Sequence, residues 1–355
     1  MDRFGRLLDL MQDNDLSAVL IQDESNIFYF TGFKGSGYLV VPIDGKAKLY
    51  VHPINYETAQ LYAVGEIEIE KLRMSSSLVD VVAGLSDVIK YRMGYDKMEA
   101  EDYVRILEGS HVERLQPFSE QIWKLRMVKD EEEVSKIKKA SEIASKCMEL
   151  ASDIIADGIS ELEVKAEILE EMLKLGAERP AFDPIIASGP RSSLPHGGLG
   201  DRVMKEGDVV VVDIGAVVDG YCSDMTRTFY IGSNPPREVE EAYELILNVK
   251  RAAEETAKPW IISSSIDEAA RNRVAAHGMG DYFIHNLGHG VGIDIHEPPK
   301  LSPTSKEIIQ ERTVITIEPG VYFPRRFGVR LEDTVLVHRE GVQRLTESPY
   351  NLALY

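Results

Sequence analysis

The chain is poor in cysteine, in basic residues relative to acidic ones, and in long apolar runs. Each shortage removes a class of protein. Two cysteines, Cys147 and Cys222, are too few for a disulfide framework or a thiolate metal cluster. Reduced thiols and a soluble, cytoplasmic protein are therefore expected. No stretch approaches the roughly 20 consecutive apolar residues of a membrane span, so no membrane partner is expected. The opening stretch MDRFGRLLDLMQDNDL carries charges where a signal peptide needs an apolar segment. Against 59 Asp and Glu stand only 40 Lys and Arg, a formal charge of −19. A protein that tracks nucleic-acid phosphates needs basic surface, so no nucleic-acid partner is expected either. What is present is globular: 355 residues, 44% hydrophobic and 28% charged. That length suits two domains and a sizeable core.

Residues 1–115 alternate short strand-like and helix-like segments. Arg3–Asn14 has apolar residues at helical spacing, while Ala18–Ile21 and Gly37–Ile43 read as strands. Helix is expected over Val51–Tyr62, Leu78–Tyr91 and Ala100–Leu107, and strand over Glu66–Leu72 and Met93–Asp96. Phe28 and Phe30 read as part of a core strand leading into a tight turn at Phe33 and Lys34. Such alternation predicts an α/β layer. A boundary is expected within residues 117–128, giving domains 1–124 and 125–355. Beyond it, Val128–Ala156 is one long helical pattern with a charged start.

The second domain contains a duplication. Ser160–Glu163 and Ser265–Glu268 both fit a helix-opening capping box, 105 residues apart. Asp213, after a run of four valines, and Glu318, after Val314–Ile317, are also 105 residues apart. His196 and His296 match at an offset of 100, and Asp224 and Glu332 at 108. Two copies predict two halves related by a pseudo-twofold, their sheets meeting at a shared cleft. Asp213, Asp224, Glu318 and Glu332 would then converge. Four such charges repel strongly without cations, and two divalent ions would cancel them. Oxygen ligands with a histidine suit Mn²⁺, Co²⁺, Fe²⁺ or Zn²⁺. Four of the eight histidines, His196, His285, His289 and His296, lie in or near glycine-rich stretches around these acids. His285 and His289 could share a helix face, but Gly288, Gly290 and Gly292 favour extended backbone.

The stretches FDPIIASGPRSSLPHG, VVVDIGAVVDGYCSDMTRTF, HNLGHGVGIDIHE, TIEPGVY and GVRLEDT resemble, in order, those of the pita-bread metallopeptidases. SNIFYFTGFKGSGYLVV resembles the N-terminal domain of the prolidase and aminopeptidase P branch. Methionine aminopeptidases lack that domain, and creatinase lacks the metal-ligand set. The resemblance implies an α+β fold: a pseudo-twofold pita-bread (creatinase/aminopeptidase) catalytic domain preceded by a smaller α/β N-terminal domain.

It also implies roles. Asp213 would chelate the first of two divalent ions, Asp224 and Glu332 would bridge them, and His289 and Glu318 would hold the second. Glu318 would move the proton between water and the leaving nitrogen. His196 and His296 would hydrogen-bond the reacting carbonyl, and His285 would assist substrate binding. Arg330 would bind substrate or orient Glu332. Lys300 stands where many prolidases carry arginine, so it could meet a substrate carboxylate without a bidentate fork. The implied reaction is hydrolysis of Xaa-Pro dipeptides. The alternatives are aminopeptidase P activity on longer peptides and a silent binding protein on the same fold. Against the silent form stands the retention of all five ligands. A homodimer is expected, with the Phe33–Lys34 segment reaching the partner's site.

Overall fold

A computed structural model describes residues 2–85, 91–197 and 200–355. The chain divides between Arg126 and Met127 into two compact units. Among the described residues, no helix is long and apolar enough to cross a membrane.

The first unit runs α1 (Arg3–Asp13), β1 (Ala18–Ile21), α2 (Glu24–Thr31), β2 (Tyr38–Pro42), β3 (Ala47–Val51), α3 (Tyr56–Tyr62), β4 (Ile67–Lys71), α4 (Leu78–Ala83), β5 (Tyr91–Tyr95), α5 (Ala100–Gly109), β6 (Val112–Pro117) and α6 (Ser119–Met127). Its strands form one mixed sheet in the order β4-β3-β2-β1-β5-β6. β1, with all four residues buried, lies near the middle.

Several expectations are corrected here. Phe28 and Phe30 lie on α2, not on a strand. Aromatic residues favour strands only on average, and local capping decides this segment. The Asp23 carboxylate accepts from the Ser25 and Asn26 amides, and Gly32 ends the helix at φ 71. Phe33 is fully buried in the chain, so it is not free to reach a partner; Lys34 is exposed, its ammonium 5.5 Å from the Phe28 ring centre. Val51 closes β3, and the helix expected from it starts at Tyr56. Of the helix expected over Leu78–Tyr91, residues 86–90 lie outside the described residues, and Tyr91 opens β5.

The second unit runs α7 (Glu131–Ile154), α8 (Glu161–Lys174), β7 (Arg179–Pro180), β8 (Ile185–Ser188), β9 (Val209–Ile214), β10 (Ala216–Val218), β11 (Tyr221–Cys222), β12 (Met225–Tyr230), α9 (Arg237–Thr256), α10 (Ser263–Ala276), β13 (Gly288–Gly290), β14 (Glu297–Leu301), β15 (Val314–Ile317), β16 (Gly320–Phe323), β17 (Phe327–Arg330), β18 (Glu332–His338) and β19 (Gly341–Arg344). The duplicated halves share a single sheet, β14-β13-β15-β18-β12-β9-β8, rather than contributing one each. They join where β12 meets β18, through the register pairs Met225–Asp333 and Thr226–Glu332.

Alternation along these strands splits the sheet into two faces. Val210, Val212, Ile214, Met225 and Phe229 join a core with α7 and α8. Ile315, Ile317, Val335 and Val337 join a second core with α9 and α10. Asp213, Thr226, Thr316, Glu332 and Thr334 therefore fall on the opposite face.

The duplication holds, with one shift of register. Ser160 caps α8 through the capping box as expected. Ser265, however, lies inside α10 and donates to the Ile262 carbonyl; Ile262 is the N-cap and has no side chain that can cap. The isolated bridges Ser160–Val203 and Ile262–Ile308 mark the true equivalence, 102 residues apart for the helices.

Candidate metal centre

The face away from the helices gathers the residues singled out by sequence. Asp213 projects from β9, Asp224 immediately precedes β12, Glu318 follows β15, and Glu332 opens β18. His289 is the middle residue of β13, which confirms extended backbone there. The glycines on either side allow that strand in: a Cβ on Gly288 would stand 2.2 Å from the Thr316 carbonyl oxygen, and one on Gly290 2.3 Å from that of Pro298.

One oxygen each of Asp224 and Glu332 and one nitrogen of His289 lie within 4.8 Å of one another. His289 Nδ1 donates to the Gly290 carbonyl at 3.0 Å. That bond fixes the tautomer and leaves the Nε2 lone pair toward the acids. Nε2 is 3.4 Å from Glu318 Oε1 and 3.6 Å from Asp224 Oδ2.

Threonines steady the carboxylates. Thr226 donates to Glu332 Oε2 at 2.7 Å and Thr316 to Glu318 Oε1 at 3.3 Å. Thr316 also accepts from the His289 amide, while Thr334 accepts from the Asp224 amide and donates to its carbonyl. Thr226, Thr316 and Thr334 each stand two residues from a carboxylate along their strands. The strand period of two thus gives the signal that finds Thr316 and Thr334, which motif reading passed over. Tyr322, also missed, lacks such a signal because a separate hairpin supplies it.

Arg330 is held by four acceptors in this arrangement. It donates to Asp213 Oδ2 at 2.7 Å, to the Tyr322 hydroxyl at 2.7 Å, to the Pro195 carbonyl at 3.1 Å and to Thr226 Oγ1 at 3.2 Å. Thr226 in turn bonds Glu332, so a chain of hydrogen bonds links Arg330 to that carboxylate. The Tyr322 hydroxyl in turn meets His285 Nε2 at 3.0 Å, and His285 Nδ1 meets the Asn286 carbonyl at 2.7 Å. Both nitrogens of His285 are thereby engaged.

The electrostatics are those of a crowded acid cluster. Burial first, then the neighbouring carboxylates, raise the Asp224 and Glu332 pKa values well above the usual range. Burial pushes Glu318 up to about 8, against the pull of Arg330. Burial and the neighbouring His296 hold His289 down at about 4, and burial with Arg330 holds His285 at about 3. Asp213 Oδ1 and Glu332 Oε1 are buried and have no hydrogen-bond partner among the described residues. Unpartnered buried carboxylate oxygens are costly. A cation would supply the missing partner, and the set of four carboxylates with one neutral imidazole is the donor chemistry of a divalent metal site.

His196 and His296 lie at the exposed margin. The His296 and His289 ring centres are 4.3 Å apart, edge to face. His196 is near enough to depress both His285 and His296. Lys300 is exposed on β14, across the register from His289.

Comparison with known proteins follows the same division of the chain. The model of metallopeptidase family M24 matches residues 135–339, and that of the creatinase/prolidase N-terminal domain matches residues 3–128. A protein named Xaa-Pro dipeptidase from Pyrococcus furiosus is 39% identical over 99% of both chains. The crystal structure of the prolidase from Pyrococcus horikoshii OT3 superposes with a TM-score of 0.92 at 37% identity, covering 99% of this chain and 100% of that one. That of an X-Pro aminopeptidase from Thermotoga maritima gives 0.90 at 32% identity, covering 99% of each.

Proposed function

Because the chain belongs to metallopeptidase family M24, with a creatinase/prolidase N-terminal domain ahead of the catalytic part, we propose that it is a metal-dependent Xaa-Pro dipeptidase. The observation that carries the metal reading is the convergence of Asp224, His289 and Glu332 beside two orphaned carboxylate oxygens. Asp213, Asp224, His289, Glu318 and Glu332 would hold two divalent ions of the Mn, Co, Fe or Zn class. Bound there, such ions lower the pKa of water toward neutrality and polarise a scissile carbonyl.

The chain's own groups do the rest. Glu318 takes a proton on its carboxylate and returns it to the leaving imide nitrogen. That nitrogen carries no hydrogen while acylated, so a site for it cannot rely on an N–H contact and must receive the ring. His196 and His296 donate to the carbonyl oxygen as negative charge develops. His285, held by Tyr322 and Asn286, shapes the substrate side, and Arg330 keeps Asp213 and Thr226 in place. The exposed Lys300 ammonium faces the carboxylate of the proline. Its single charge lacks an arginine fork, so this contact selects dipeptides less strongly than a bidentate arginine would.

The likeness to an X-Pro aminopeptidase favours a second reading, removal of the first residue from longer peptides. The experiment that separates them loads the purified protein with Mn²⁺ or Co²⁺ and assays Xaa-Pro beside Xaa-Pro-Xaa. Faster hydrolysis of the dipeptide supports the first reading. Faster hydrolysis of the tripeptide replaces it with the second, and failure of both substrates refutes the peptidase assignment. The working form is proposed to be a cytoplasmic homodimer to which Lys34 contributes. Light scattering showing a fully active monomer would refute the dimer.

A further inference from the structure

The junction between the two halves carries charge where its neighbours are apolar. On β12 the helix-facing positions read Met225, Arg227, Phe229, and on β18 they read Asp333, Val335, Val337. Arg227 and Asp333 are 1% and 0% exposed and lie between the two hydrophobic cores. Burying an ion pair in such surroundings gains little stability over well-packed apolar residues. The contacts of this pair offer another reason for its presence.

Arg227 Nη1 donates to the Glu332 carbonyl at 2.7 Å and to the Thr226 carbonyl at 3.0 Å, while Nη2 reaches Asp333 Oδ1 at 2.9 Å. Nε and Nη2 also donate to the Ser348 carbonyl, at 3.3 and 2.9 Å. One planar guanidinium therefore ties the main chain of β12, which Asp224 immediately precedes, to that of β18, which Glu332 opens. It does so at the seam, where the direct register pairing is only two residues long. Asp333 is fixed in turn by Thr346 at 2.9 Å, by Lys250 at 2.5 Å and by the Tyr350 hydroxyl. Thr346 also accepts from the Thr334 amide at 3.1 Å, and Thr334 holds both main-chain groups of Asp224.

We propose that Arg227 and Asp333 are positioning residues for the metal centre. From the opposite face of the sheet they set the spacing of Asp224 and Glu332 across the β12–β18 seam. This rests on the reading of those two residues as metal ligands. The pair touches neither metal nor substrate; it acts through the Glu332 and Thr226 carbonyls and through Thr346 and Thr334.

The test is Arg227→Lys, which keeps the charge but cannot span two carbonyls and a carboxylate as a rigid fork. Co²⁺ is titrated into metal-free wild type and variant, with affinity read by calorimetry and ligand geometry by the visible absorption of bound Co²⁺. The expected result is an affinity lowered roughly 10–100-fold, the range for groups that orient ligands, with shifted absorption bands. Glu254→Gln is the control. It weakens the outer end of the network at Lys250 and Arg344 and should leave the Co²⁺ spectrum unchanged. A folded Arg227→Lys protein with wild-type affinity and spectrum would overturn the proposal. Wild type that binds no Co²⁺ would instead overturn the metal reading beneath it. Should Arg227→Lys not fold, Thr346→Val carries the test. It removes one support of Asp333 and the link to Thr334, and an unchanged Co²⁺ spectrum there would equally refute the positioning role.

Discussion

Removing Lys129 should expose how far buried charge holds the turn that carries His296. Lys129 and Glu297 are paired at 3.0 Å with both side chains 1% exposed. Glu297 also accepts from the Asp294 amide at 3.1 Å, and a Cβ on Gly292 would lie 2.6 Å from its carboxylate oxygens. Its carboxylate therefore anchors the turn that presents His296. Lys129→Met keeps the aliphatic stem and deletes the charge that pairs with the buried Glu297 carboxylate. Breaking a buried pair from one side costs about 3–5 kcal/mol. A buried carboxylate that has lost the lysine charge can relieve the loss by taking a proton, so the deficit should be larger at pH 8 than at pH 5. Lys129→Met/Glu297→Gln removes the buried carboxylate charge and should recover a large part of the loss. Urea unfolding followed by far-ultraviolet circular dichroism, at both pH values, measures each difference. A deficit below about 1 kcal/mol, the size expected of a solvated surface pair, would refute the reasoning. Strict additivity of the two substitutions would refute it as well.

Asp224→Asn and Glu332→Gln should each abolish dipeptide hydrolysis and lower metal content while circular dichroism stays that of the wild type; near-normal turnover with full metal would contradict their assignment as ligands. His196→Ala and His296→Ala should retain metal and lose roughly 10²–10³ in kcat, the effect of one missing donor to a developing oxyanion, and a parallel loss of metal would make them ligands instead. Trp260 is 74% exposed at φ 71, in the loop position that Gly158 fills at φ 90 in the other half. Because left-handed backbone costs a residue with a Cβ roughly 1–2 kcal/mol, Trp260→Gly should leave the melting temperature unchanged or raise it, and a fall of several degrees would show that the indole is held by contacts. Burial pushes the Cys147 thiol up to about 12, so with Cys222 also buried alkylation at pH 8 should label neither cysteine until the protein is unfolded.

Much of this protein is legible in one dimension because the candidate ligand carboxylates sit at or beside strand ends within a repeated unit. The valine run before Asp213 and the apolar run before Glu318 announce buried strands ending in carboxylates. Their common spacing assigns both to one repeat, and the glycines around His289 require extended backbone at close approach. The first unit was less legible. The α2 segment carries strand-forming aromatics, and only the Asp23 cap and Gly32 reveal its helix. Likewise the serine at 265 satisfies a capping pattern, yet the bridge between Ile262 and Ile308 sets where α10 begins. No local pattern shows that the hairpin β16–β17 carries the Arg330 donors onto Asp213, Tyr322, Pro195 and Thr226. Sequence determined which residues alternate onto one face of each strand, because that period is fixed by the backbone. Only the tertiary structure decided which strands are neighbours. Thr226 meets Glu332, and Arg227 spans the seam to Asp333, across more than 100 residues of chain, and such cross-strand pairing leaves no local periodic mark.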